Sequence, residues 1–449
     1  MYVRFQKLWE EIRGSYWFVP GLMAVGGIFL SLFTVSLDGH FRVDVIRQLG
    51  FIWSGGAEGA RGLLQTVAGS MITVAGLTFS ITMVALTFAS SQFGSRLLRN
   101  FMADTGNQLV LGTFVATFIY CLLVLRTVRS NGDSEFIPYI SVTVGLVLTL
   151  VSLMLLIYFF HHMALSLQAP YIVAEVAGDL LHAIERLFPS EVGTIAPEER
   201  EQRNEEDVPP EFEEQARLVE SDVNGYVQAI DESELMAIAR ENDLVIKLAH
   251  RPGHFQLKGD ALAYVWPPDR LDERLEQELN GTFIIGKQRT YTQDVEFGIE
   301  QLVEVAERSL SPAINGSFTA IACIDWLGAA LAKLLEKGFP SPYRYDQEGN
   351  LRIFFERPQT LVGVIDTSFD QIRQAARDNV AVRIRLLEKI AILHKLTDDP
   401  EAIRALERQA KMIENGSDDE EVVKNDQQDV EQRYEEAMEA KEPESISQK

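Results

Sequence analysis

The chain has 449 residues, a formal net charge of −24 and a mean hydropathy of +0.00, but its charge is unevenly distributed. Residues 1–165 hold 10 Lys and Arg against 8 Asp and Glu, whereas the remainder holds 31 against 57. This acidic remainder argues against binding to nucleic acid or to anionic lipid surfaces, because like charges repel.

Four apolar stretches in the first 165 residues are each long enough to cross about 30 Å of hydrocarbon. They lie at about 16–36, 63–93, 108–128 and 138–162. No persuasive small-residue cleavage site follows the first stretch, so we interpret it as a membrane anchor rather than a signal peptide. The sequence therefore predicts a transmembrane domain of four helices over residues 1–165.

The second stretch carries a regular pattern of hydroxyl groups. Residues 62–95 contain no charged side chain, and Thr66, Thr73, Ser80 and Thr87 recur at seven-residue spacing. Seven residues advance a helix by nearly two turns, so these four side chains share one narrow face. Such a face either packs closely against another helix or lines a water-filled path. Both interpretations remain open, and we take path lining as the working hypothesis.

The composition changes after the fourth stretch and predicts a soluble second part. A connecting helix and acidic linker are expected at 166–216, a small β-rich module at 217–268, a mainly helical domain at 269–410 and an acidic, disordered tail at 411–449. The predicted fold class is an α-helical membrane bundle followed by a mixed α/β soluble domain containing a small β module.

The orientation of the chain depends on indirect evidence, because Lys and Arg are balanced between the two sets of loops. Four spans place both termini on one side of the membrane. The soluble part lacks an export signal, and Cys121 and Cys323 lie in unlike regions that make pairing implausible. We therefore expect a multi-pass protein of the cell (inner) membrane, with termini and soluble domain in the cytoplasm.

Motifs for catalysis or metal binding are absent from the sequence. It has no phosphate loop, dinucleotide fingerprint, nucleophile elbow or HExxH motif, so we expect no enzyme activity, no catalytic residue and no cofactor. His161 and His162 end the fourth stretch, but neighbours in sequence point to different helix faces. We expect them to lie at the membrane interface rather than to bind a metal.

One candidate polar cluster lies in the soluble domain. Ser-Pro-Ala-Ile-Asn-Gly-Ser at 311–317 indicates a helix break, where Asn315 or Ser317 would cap a new helix. Arg289, Asp294 and Arg308 are candidates, with Asn315, for a polar network around this break. A structural role in the core is favoured over ligand binding.

Five segments together carry a resemblance to a known family. They are SMITVAGLTFSITMVALTFASSQFGSRLLRNFM (70–102), NGYVQAID (224–231), RPGHF (251–255), RTYTQDVEFGIEQLVEVA (289–306) and RSLSPAINGSFTAIACIDWL (308–327). The chain resembles the predicted bacterial membrane proteins of the domain of unknown function 2254 family, from about Val3 to about Lys395. Members usually have Asn-Asp-Pro where this chain has Asn315-Gly316-Ser317, so a ligand role for that carboxylate is not expected here.

The family resemblance implies a membrane protein but no activity. Our leading functional hypothesis is a homo-oligomeric ion channel or channel-like transporter whose second span lines the path. The alternative is a membrane-anchored sensor or scaffold whose cytoplasmic domain binds a partner or small ligand. The expected partners are further copies of the chain and the lipid bilayer, with no nucleic acid, and the ion or ligand is unknown.

Overall fold

A computed structural model describes residues 15–40, 53, 55–94, 102, 104–129, 136–188, 205–415 and 424–439. The chain divides into two compact units, Met1–Tyr171 and Ile172–Lys449. The first is helical, and the second mixes helices with two β-sheets.

Long apolar helices build the first unit. They are α1 (Phe18–His40), α2 (Ala57–Phe93), α3 (Thr105–Leu125) and α4 (Tyr139–Ser166), and α5 (Ala169–Leu187) leads into the second unit. Large apolar side chains also cover the outside, as at Phe29, Val84 and Met154, which are 67%, 70% and 67% exposed. Apolar side chains on both the inner and outer faces are typical of helices in lipid, so this unit fits a multi-pass membrane domain.

The closest packing in this unit joins α1 and α3. A Cβ atom added to Gly27 would lie 2.8 Å from the carbonyl oxygen of Ala116, and one added to Gly112 would lie 2.5 Å from Met23 Sδ. Small residues at these crossings let two membrane helices approach closely. The first unit therefore has a packing seam of its own, between α1 and α3.

The second unit contains eight strands in its described residues. They are β1 (Arg217–Glu220), β2 (Gly225–Ile230), β3 (Val245–Leu248), β4 (Phe255–Gln256), β5 (Ala261–Trp266), β6 (Phe283–Gly286), β7 (Tyr343–Tyr345) and β8 (Leu351–Phe355). One sheet has the order β1-β5-β3-β8-β7 and the other β4-β2-β6. Buried Val, Ile and Leu side chains such as Ile246, Val265 and Ile353 form the core beside the larger sheet.

Both sheets cross the boundary that the sequence predicted at residue 268. Strand β3 pairs in parallel with β8, with Ile246 opposite Ile353, and β2 pairs with β6, with Ile230 opposite Phe283. Strands from 217–268 are therefore completed by strands from the region that was predicted to be mainly helical. Parallel pairing needs a long crossover connection, which is why local periodicity does not reveal it.

Helices form the rest of the second unit. Besides the short α6 (Phe212–Gln215), they are α7 (Glu232–Glu241), α8 (Glu273–Thr282), α9 (Val295–Leu310), α10 (Ser317–Lys337), α11 (Leu361–Ala375), α12 (Val380–Lys395), α13 (Pro400–Asn415) and α14 (Lys424–Glu439). Helix α14 lies where the sequence predicted a disordered tail. Its Val430 and Ala437 are buried, which gives this acidic helix an apolar contact face.

Among the described residues, five helices are long and apolar enough to span a membrane: α1 to α4 and α10. The sequence predicted four spans and did not include α10. The number of spans is therefore not fixed by helix length and composition.

Candidate functional sites

The hydroxyl stripe of α2 faces outward. Thr66, Thr73, Ser80 and Thr87 are all exposed, whereas the buried face of α2, which includes Leu64, packs into the core of the first unit. A close-packing seam between this stripe and the described helices of the same chain is therefore not formed.

Each hydroxyl of the stripe donates to the carbonyl oxygen four residues earlier in the helix. The Oγ to carbonyl oxygen distances are 2.7 Å for Thr66 and 2.9 Å for Thr73, Ser80 and Thr87. These bonds satisfy the hydroxyl donors inside the helix. The hydroxyl oxygens keep lone pairs, so the stripe presents hydrogen-bond acceptors to its surroundings.

Three of the accepting carbonyls belong to glycines with open space beside them. A Cβ atom added to Gly62, Gly69 or Gly76 would meet no atom within 4 Å. Together with Gln65 and Ser70, the stripe residues Thr66 and Thr73 line an open depression on this side of α2. Unlike Gly27, these glycines are not required by contacts within the described chain, and the space beside them faces outward.

Two acidic side chains hold the ends of α4. The Asp38 carboxylate accepts from the backbone nitrogens of Ile140 at 2.8 Å and Ser141 at 2.9 Å, and from Ser141 Oγ at 2.6 Å. At the other end, Asp104 Oδ2 lies 2.6 Å from His162 Nε2, and the His162 ring stacks on Tyr158. The sequence analysis did not predict the pairing of His162 with Asp104.

Asp104 also caps the start of α3. Its Oδ1 accepts from the backbone nitrogen of Gly106 at 2.8 Å. An acidic residue immediately before an apolar run is an N-cap signal, so Asp104 could have been identified from the sequence. The contact of Asp38 with a helix about 100 residues later has no such local signal.

The polar cluster of the second unit contains only part of the predicted set. Arg289 donates to Asp294 through Nε at 2.7 Å and Nη2 at 3.0 Å, and its Nη1 lies 2.6 Å from Glu300 Oε1. Asp294 is nearly fully buried and caps α9 by accepting from the backbone nitrogen of Phe297. Burial raises the pKa of the Asp294 carboxyl, and its bonds from Arg289 oppose that rise.

Arg308 and Asn315 lie outside this cluster. In the described chain, Arg308 forms a helical-surface pair with Glu304 at 3.1 Å, and Asn315 occupies a turn with a φ of 49°. The predicted cap of the following helix was wrong. Gly316 occupies the N-cap position of α10 without a side-chain hydrogen bond, and Ser317 Oγ accepts from Asn379 Nδ2 at 2.7 Å instead.

Three of the motifs that carry the family resemblance meet beside the smaller sheet. Gln293 accepts from the backbone nitrogen of Ile230 at 2.8 Å and donates to its carbonyl at 3.0 Å. Arg251 Nη2 donates to both carboxylate oxygens of Glu296 at 2.9 Å. The RPGHF, NGYVQAID and RTYTQDVEF segments therefore form one connected polar structure.

A histidine pair lies in the same region. His250 Nδ1 and His254 Nδ1 are 3.4 Å apart, and burial lowers the pKa of His254 to about 4. The positive charges of Arg251, Arg289 and Arg357 contribute to this lowering of the pKa, after burial. Within the ranges that the structure describes, no three His, Cys, Asp or Glu side chains are grouped to hold a metal ion.

Comparison with known proteins places the chain among membrane proteins. A family model described as "Predicted membrane protein (DUF2254)" matches residues 13–391. The uncharacterized proteins Mb1321c of Mycobacterium bovis and Rv1290c of Mycobacterium tuberculosis are each 30% identical over 419 residues, covering 91% of this chain and 77% of each relative. No solved structure matches the chain significantly. The chain therefore belongs to the DUF2254 family of predicted membrane proteins.

Proposed function

We propose that this protein is a homo-oligomeric ion channel or channel-like transporter in which α2 lines the path. The observation that carries the proposal is the outward position of Thr66, Thr73, Ser80 and Thr87. Hydroxyl oxygens that point away from the chain's own core have a lower free energy facing water or a hydrated ion than facing lipid. A shared axis between copies would provide that environment.

The stripe favours cations over anions. Its hydroxyl groups donate their hydrogens to the helix backbone, as at Thr73 and Ser80. Only the lone pairs of the hydroxyl oxygens therefore remain to interact with an ion. Weak acceptors can replace part of the water around a cation, and they offer nothing to an anion. Because no formal charge lies on the stripe, we expect only a modest preference.

We further propose that α1 to α4 cross the membrane and α10 does not. Helix α10 has a mean hydropathy of 1.6, the lowest of the five apolar helices. It carries Asp325, which pairs with Lys389 at 2.9 Å, and Lys333, which pairs with Glu185. Charged side chains held in ion pairs suit a helix of the soluble unit better than a membrane span. Four crossings put both termini on one side, which we assign to the cytoplasm.

Ion flux in liposomes tests the proposal. Purified protein is reconstituted, and K⁺ and Cl⁻ flux is compared with that of empty vesicles. The variant Thr73→Leu with Ser80→Leu should lower flux at least tenfold while the protein remains folded, because both positions are exposed. The matched control is Ile72→Leu with Phe79→Leu, exposed positions about 100° around the same helix.

Two outcomes would refute the channel proposal. One is K⁺ and Cl⁻ flux no greater than in empty vesicles. The other is an equal effect of the stripe variant and its matched control, since the stripe would then be ordinary lipid-facing surface.

A second candidate function is a membrane-anchored sensor or scaffold. It is favoured by a cavity of about 190 Å³ in the second unit, which borders the RPGHF turn. Native mass spectrometry of the full chain, together with affinity capture, would detect a retained small molecule or partner. Finding neither would count against this function and would leave the channel proposal unaffected.

A further inference from the structure

The cavity of the second unit is built from segments that are distant in sequence. It has a volume of about 190 Å³, the liquid volume of about six water molecules. Its lining comes from the end of α5, the first turn of α7, the turn at Arg251 and Pro252, the segment before α9, and β7 and β8 with the residues that flank them. Drug-sized ligands occupy pockets of about 300 Å³ or more, so this cavity suits a smaller molecule.

One wall of the cavity is apolar and rigid. Phe188 and Phe339 meet edge to face with ring centroids 5.1 Å apart, and Phe355 lies on the same lining. Proline residues 340, 342 and 358 complete this surface. Proline has a fixed φ, so the wall is formed before a ligand arrives and can accept an aliphatic or aromatic group with little ordering cost.

Two opposite charges lie side by side on the lining. Arg344 Nε is 3.5 Å from Glu232 Oε2, which is long for a hydrogen bond, and the Arg344 guanidinium also lies over the Phe355 ring. The other arginine of the lining, Arg251, is already held by both oxygens of Glu296. Arg344 Nη1 is held by the carbonyl oxygen of Ser341, so its Nε edge and the Glu232 carboxylate are the weakly paired charged groups of the lining.

An unpaired amide donor borders the same space. Gln359 Nε2 is buried and has no hydrogen-bond partner among the described residues. A buried donor without an acceptor is costly, and such groups in native proteins call for an explanation. This atom has almost no accessible surface, so the Gln359 side chain would have to turn toward the cavity before a bound acceptor group could provide the missing partner.

We propose that this cavity binds a small zwitterion with an apolar body, of the class of a free α-amino acid. Its carboxylate accepts from Gln359 and Arg344, its ammonium group faces Glu232, and its side chain lies against the phenylalanine and proline wall. A simple anion would be repelled by Glu232 and a simple cation by Arg344, whereas Arg251 is neutralised by Glu296. This assignment rests on the second candidate function and does not depend on the path along α2.

Three probes of one shape test the charge requirement. Full-length protein in nanodiscs is titrated calorimetrically with L-leucine, with 4-methylpentanoate, which lacks the ammonium group, and with 3-methylbutylamine, which lacks the carboxylate. We expect leucine to bind at least tenfold more tightly than either singly charged analogue. Equal affinity for leucine and 4-methylpentanoate would overturn the zwitterion assignment, and so would the absence of leucine binding at 10 mM.

Two substitutions locate the site. Gln359→Leu should raise the melting temperature, because it removes an unpaired buried amide, yet weaken leucine binding about tenfold. Glu232→Gln should weaken leucine binding and leave 4-methylpentanoate binding unchanged or stronger. The matched control is Gln347→Leu, at an exposed turn position outside the lining.

The substitutions also separate this proposal from the broader sensor function. Unchanged leucine binding in Gln359→Leu would remove the cavity as the binding site. If native mass spectrometry finds a retained molecule that is not a zwitterion, the sensor function stands and the ligand class proposed for the cavity is wrong.

Discussion

Gly253 provides the sharpest test of the polar structure beside the smaller sheet. Its φ is +97°, and an added Cβ would lie 2.5 Å from Asp294 Oδ2 and 3.1 Å from Arg289 Nη2. The variant Gly253→Ala therefore combines backbone strain with displacement of a buried ion pair. Gly259, with a φ of +85°, is the matched control, because its added Cβ would meet only Glu220 Oε2, at 4.0 Å.

The free energies of unfolding of the two variants should differ only by the cost of disturbing the ion pair. A left-handed conformation costs an alanine about 1–2 kcal/mol, and this term applies to both positions. Removing one partner of a buried ion pair costs about 3–5 kcal/mol, and we expect displacement of the Asp294 carboxylate to cost about half of that. Gly253→Ala should thus destabilise the protein by about 2 kcal/mol more than Gly259→Ala.

Thermal unfolding of the full-length protein in detergent measures this difference. At about 2–4 °C per kcal/mol for a domain of 150–250 residues, the melting temperature of Gly253→Ala should lie about 4–8 °C below that of Gly259→Ala. Equal melting temperatures would refute the reasoning, since they would mean that the Asp294 carboxylate moves aside without loss of stability.

Three further predictions concern other parts of the chain. Burial is the main cause that lowers the pKa of His254 to about 4. The folded state therefore binds this proton less readily than the unfolded state, so stability that is full above about pH 6.5 should fall as the pH decreases toward 4. Melting temperatures measured across this pH range should depend less on pH in His254→Gln. Gly27→Ala should lower the melting temperature, because its Cβ would meet backbone, whereas Gly69→Ala should leave it unchanged or slightly raised and should alter flux or cross-linking between copies. Asp38→Ala should lower stability by about 1–2 kcal/mol, measured by thermal unfolding, because two backbone donors of α4 lose their acceptor.

The sequence predicted the four long helices of the first unit because continuous apolar runs have few alternative structures. The predicted ends of these helices were less accurate where a helix continues past charged or polar residues. Helix α2 begins at Ala57 rather than near 63, because Glu58 and Arg61 are compatible with a helix although not with an apolar window. Helix α4 similarly extends to Ser166.

Contacts between distant segments were beyond sequence reasoning. The parallel pairing of β3 with β8 and the contact of Asp38 with α4 each join residues about 100 positions apart. No local pattern specifies such a partner. Proximity along the chain grouped Arg289, Asp294, Arg308 and Asn315 in one predicted network. Only Arg289 and Asp294 of this set pair, while Arg308 and Asn315 lie elsewhere.

The two acidic contacts of α4 have a consequence for the membrane around it. Asp38 binds the backbone at Ile140, and Asp104 binds His162. At 1.5 Å per residue, these two anchored positions lie about 33 Å apart along the helix. A hydrocarbon layer is about 30 Å thick, so if α4 crosses the membrane as proposed, the anchors would lie near the two boundaries of that layer. A bilayer much thicker than this would draw the polar ends into lipid, and the anchors would thus restrict the protein to membranes of matching thickness.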